Sequence, residues 1–65
     1  MTELEKVERE IATLEESVRS STRALEDPDL SAEGARQERA SIELYRRHLG
    51  DLLMKRDDLQ SLIGR

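Results

Sequence analysis

Between Leu25 and Gly34 the chain reads LEDPDLSAEG, and the proline inside this stretch decides the architecture. Pro28 has no amide hydrogen, and its ring disfavours a helical conformation at Asp27, so a helix arriving from the N-terminal side must stop there. Everything around it favours helix. Upstream, Leu4, Val7, Ile11, Leu14, Val18 and Leu25 recur at spacings of three and four, with Ser21 at the one skipped position. That is the narrow apolar seam of a coiled coil. Downstream, Ala35, Ile42, Tyr45, Leu49, Leu52, Leu59 and Ile63 form a second seam, interrupted by Glu38 and Arg56.

The two seams share one register. If the chain doubles back at Pro28, facing residues must have numbers with a constant sum. Leu25 with Ala35, Val18 with Ile42 and Ile11 with Leu49 sum to 60, while Leu14 with Tyr45 and Val7 with Leu52 sum to 59. The fold expected is therefore all-α: an antiparallel, coiled-coil-like two-helix hairpin forming a single domain over residues 1–65. Its helices should run from about 2 to 26 and from 32 to 63, with the bend at 27–31. Ser31 is the expected N-cap of the second helix, with Glu33 a favourable charge in its first turn. Gly34 then falls at the third helical position, where it should weaken the turn by roughly 1 kcal/mol relative to Ala.

Charge pairs decorate the expected helices. Glu5 with Arg9 and Glu15 with Arg19 are four apart and should stabilise the first helix slightly. Arg56 breaks the second seam opposite Leu4, and should reach the acids Glu3, Glu5 and Glu8, with Glu38 doing the same near Arg23.

Sixty-five residues, with charged residues at 40% and aromatics at 2%, give too little apolar surface for a self-sufficient core. A partner is expected, either a helical protein or a second copy that completes a four-helix bundle. The second helix supplies the surface. Leu44, Leu53, Met54 and Leu62 lie off its seam, and Leu59, Leu62 and Ile63 extend beyond the start of the first helix without facing residues. With Tyr45 and His48 on the flank of the seam, these are the candidate protein-binding residues. The acidic N-terminus, MTELEKVERE, and the lack of a long apolar run argue against a signal peptide or membrane span and for a cytoplasmic protein.

No catalytic constellation is assembled. His48 is the only histidine and there is no cysteine, so neither a His or Cys metal site nor a nucleophile–base pair is available, and no cofactor is expected. Asp57 and Asp58 are adjacent and diverge by about 100° on a helix, so they do not converge as acid and base. Asp27, Asp29, Ser31 and Glu38 fall at calcium-loop positions, but Ala32 stands where the loop needs glycine. No small-molecule pocket is foreseen between two helices, and an enzyme is not expected. Arg19, Arg23, Arg36, Arg39, Arg46 and Arg47 lie toward the bend. Interspersed acids, the absence of an aromatic platform and a net charge of −4 argue against a dedicated nucleic-acid binder.

The opening MTELE, the small acidic chain and the layout with a longer second helix resemble the small E-type co-chaperones of the type III secretion needle subunit. That resemblance implies a hairpin that pairs with a larger tetratricopeptide-like chaperone and keeps the needle protein unpolymerised in the cytoplasm. Leu25 to Leu30, LEDPDL, resembles the turn of the C-terminal coiled-coil hairpins of ABC-F ATPases, which implies instead a nucleic-acid or ribosome contact near the bend.

Overall fold

The computed structural model describes residues 1–63 and contains two α-helices, α1 (Glu3–Leu25) and α2 (Ala32–Ile63), packed against each other as a hairpin. The molecule is a rod of 51 × 17 × 14 Å. Helix α1 starts at a capping box that the sequence also carries: Thr2 Oγ1 accepts from the Glu5 amide at 3.2 Å, while the Thr2 amide donates to Glu5 Oε1 at 3.3 Å. Two of the four amides that every helix start leaves unpaired are thereby accounted for.

The bend is made of local hydrogen bonds. The Glu26 and Asp27 amides donate to the carbonyls of Arg23 and Ala24 at 3.1 and 3.2 Å, closing the last turn of α1. Asp27 then turns the chain, its Oδ1 accepting from the Asp29 amide at 2.9 Å and its carbonyl from Leu30 at 3.1 Å. Among the described residues no backbone φ is positive, so α1 ends without a left-handed glycine and Pro28 supplies the stop. Ser31 caps α2, its Oγ accepting from the Gly34 amide at 3.0 Å.

Gly34 has a packing reason beyond the cap. A Cβ built there would come within 2.7 Å of Leu30 Cδ1, so the missing side chain makes room for Leu30 to fold over the first turn of α2. Leu30 is half-buried as a result.

The register expected from the seams is the one formed. Val7, Ile11 and Leu52 make one buried cluster, and Leu14, Leu49, Leu53 and Leu59 pack against it. Among the described residues only Val7, Ile11, Ile42 and Leu52 are buried apolar residues, because two helices cover each seam side chain from one side alone. Leu4, Leu14, Val18, Leu25, Tyr45 and Leu49 stay half-exposed.

Two expectations for α2 are corrected. Leu59 has neighbours within the hairpin, since helical side chains lean toward their own N-terminus and this tilt carries it back over the Val7 cluster. Leu53 is no free surface residue; it lies one turn beyond Leu49, just beside the seam, and packs on the same cluster.

Replacing Gly34 by Ala should therefore yield less than the ~1 kcal/mol that helix propensity offers, whereas the same change in a Leu30→Ala background should deliver about that amount. Urea unfolding of the four variants, followed by circular dichroism, checks this as a double-mutant cycle.

Candidate interaction surface

The charges on α1 and α2 form fewer and different pairs from those that spacing suggests. Glu5 is occupied by the capping box rather than by Arg9. Arg19 donates from both Nε and Nη2 to Glu16 Oε2, at 3.1 and 2.8 Å, instead of reaching Glu15. Arg23 joins the same carboxylate from one turn further on, at 3.3 Å, and so does not serve Glu38. The Arg19 guanidinium, by hydrogen bond and by charge, holds the Glu16 carboxyl below its ordinary value, with Arg23 adding to the effect.

Arg56 does not reach the acids once expected to hold it. Glu3 is engaged by Lys55 at 3.0 Å and Glu5 by Thr2. Among the described residues Arg56 makes no ion pair, and its Nε is buried without a hydrogen-bond partner.

The arginines near the bend are also divided. Arg19 and Arg23 are committed to Glu16, and Arg36 stands 3.9 Å from Glu33. Among the described residues, Arg39, Arg46 and Arg47 carry no ion pair. The polar side chains of the bend make local hydrogen bonds: Asp27 accepts from the Asp29 amide and Ser31 from the Gly34 amide. Among the described residues no group of three or more His, Asp or Glu side chains is placed to hold a metal, and no helix is long and apolar enough to cross a membrane.

Of the candidate protein-binding residues, Leu44, Met54, Leu62 and Ile63 are exposed, at 61 to 70% of their surface. Tyr45 is half-buried in the seam, while Leu53 and Leu59 belong to the core margin. Leu44, Met54 and Leu62 do not make a continuous stripe, because Arg47, Asp51 and Asp58 fall between them on the outer side of α2. Apolar surface gathers at the open end instead. The register brings the exposed Met1 to the level of Leu59, about one turn before Leu62 and Ile63.

Two shallow grooves run between the helices. One, of about 300 Å³, is lined by Arg9, Glu10, Thr13, Leu14 and His48, and His48 Nε2 lies 4.0 Å from Glu10 Oε2 across it. The other, of about 400 Å³, is lined by Thr22, Leu25, Ile42 and the charged Arg39, Glu43 and Arg46. The sequence marks these arginines only as charges on a helix. That they border an apolar groove requires both helices at once.

No protein-family model, curated protein or solved structure matches the chain.

The depressed Glu16 carboxyl contributes stability that is present above the ordinary carboxylate range and lost as pH falls through its own lowered value. Glu16→Gln should therefore lower the melting midpoint slightly at neutral pH, and this difference should be smaller at about pH 3, below the ordinary carboxylate range. Thermal melts of both chains at the two pH values check the sign.

Proposed function

We propose that the chain is a non-enzymatic protein–protein interaction module, a helical hairpin that works by packing against another helical surface. What carries this reading is the imbalance of its apolar residues. Four are buried, while Met1, Leu44, Met54, Leu62 and Ile63 are each more than 60% exposed. A core of that size is too small for comfortable independent stability, and helical surface of this kind is buried by docking another helix.

Its most concrete form is a small co-chaperone of a type III secretion needle subunit. Supporting that form are the hairpin with its longer second helix and the opening MTELE; a cytoplasmic location stands or falls with it. The alternative, a hairpin that contacts nucleic acid or the ribosome, draws less support. Its arginines are partly spent on Glu16 and Glu33, and Glu43 stands between Arg39 and Arg46 on the groove.

Sedimentation equilibrium across a wide dilution series, with helix content followed by circular dichroism, tests the module. The expected result is either a mass above the 7.5 kDa monomer or a monomer that loses helix as it is diluted. A monomer that stays fully helical at every concentration would contradict it, since such a chain needs no partner.

A further inference from the structure

One long side of the hairpin carries polar contacts between the helices and the other has no ion pair across it among the described residues. On the first, Glu3 meets Lys55 at 3.0 Å and Glu10 meets His48 at 4.0 Å. On the second, among the described residues, no ion pair crosses between the helices, and the groove floored by Leu25 and Ile42 lies between Arg39 and Arg46. Arg39, Arg46 and Leu53 are spaced by seven and so stand in one row along this side of α2.

The row changes character along its length. Near the bend it borders an apolar hollow whose rim carries Arg39 and Arg46 with Glu43 between them. Further on it presents the half-buried Leu53, with Asp57 one turn beyond it and Glu8 at the same level of α1. A half-exposed leucine at the core margin, with acids beside it, thus lies on the same side as a hollow whose rim has more basic than acidic side chains. They do not meet within one chain, because about 16 Å of helix separates Ile42 from Leu53.

We propose that this side binds a second copy of the chain, antiparallel, about a two-fold axis that passes beside α2 at the level of its midpoint, between Arg47 and His48. This rests on the interaction-module reading and names the helical partner as the chain itself. Such an axis sets Leu53 of one protomer over the Leu25 and Ile42 groove of the other, and Asp57 beside Arg39 of its partner. Each contact occurs twice, as a two-fold interface requires. A side 51 Å long and 17 Å wide is large enough for the roughly 800 Å² per partner of a stable association. The half-exposed Val18, Leu25 and Leu53 gain the cover that one hairpin does not give them.

The test is a charge exchange at Arg39 and Asp57, both exposed and remote from the core cluster. Sedimentation equilibrium is run on the full chain, on Arg39→Glu, on Asp57→Lys and on the double variant, with circular dichroism to establish that all four are equally helical. Each single change should raise the dimer dissociation constant about tenfold, and the double change should restore it to within about threefold. A dimer that ignores both single changes, or a double variant that fails to recover, would overturn this geometry while leaving the interaction module standing. A chain that is monomeric and unravels on dilution would overturn self-association alone. A fully helical monomer would overturn the module as well.

Discussion

The contact on which the rest of the structure depends is the one between Val7 and Ile11 of α1 and Leu52 of α2. Among the described residues it is the only place where several large apolar side chains are buried together, and it fixes how the helices are set along each other. Burial of such side chains stabilises by roughly 1.5–3 kcal/mol apiece, whereas the exposed ion pairs of α1 contribute at most a fraction of that. The core is also lopsided. It lies toward the open end, with Leu14, Leu49, Leu53 and Leu59 around it, while the half nearer the bend is lined by Ser17, Ser21, Ala24, Gly34, Ala35 and Ser41. Small residues there let the helices meet but supply little cohesion, and Ile42 is the one large buried side chain on that half of α2.

The proposed function rests on the same thinness. Two helices in one layer cover their seams from a single direction, so side chains such as Leu14, Val18, Leu25 and Leu49 remain half-wet whatever their register. The two long sides then differ in chemistry. On one of them Lys55 pairs with Glu3 and His48 stands 4.0 Å from Glu10, whereas the other leaves an apolar groove whose rim carries Arg39, Glu43 and Arg46, with no ion pair across it among the described residues. In the proposed dimer a second hairpin covers that open side.

Much of the architecture was legible in the letters. Pro28 announced the bend, Ser31 the cap, and two heptad seams with a constant residue sum announced an antiparallel register before any coordinate was known. What was not legible depended on side-chain direction and competition. Leu59 was expected to hang free, and only the backward lean of helical side chains brings it to the core. Arg56 was expected to reach Glu3, Glu5 or Glu8, yet Lys55 holds Glu3, Thr2 engages Glu5, and among the described residues Arg56 makes no ion pair. Arg23 had two acids to choose from and took Glu16, on its own helix face, over Glu38 on the other helix. The surface was harder still. Leu44, Leu53, Met54 and Leu62 look equivalent as off-seam apolar residues, but a difference of one helical step puts Leu53 against the core and leaves Met54 in water. The Thr2–Glu5 capping box could have been found, because its T-x-x-E spacing stands in the sequence.

The claim that cohesion resides in the open half, and not at the hydrogen-bonded bend, is tested most directly by amide hydrogen exchange resolved residue by residue. The slowest amides should lie around Val7 to Leu14 and Leu49 to Leu53, with protection falling toward Leu25 on one helix and toward Ala35 on the other. Protection that is highest beside the bend, or uniform along both helices, would contradict the account and place the organising contact elsewhere.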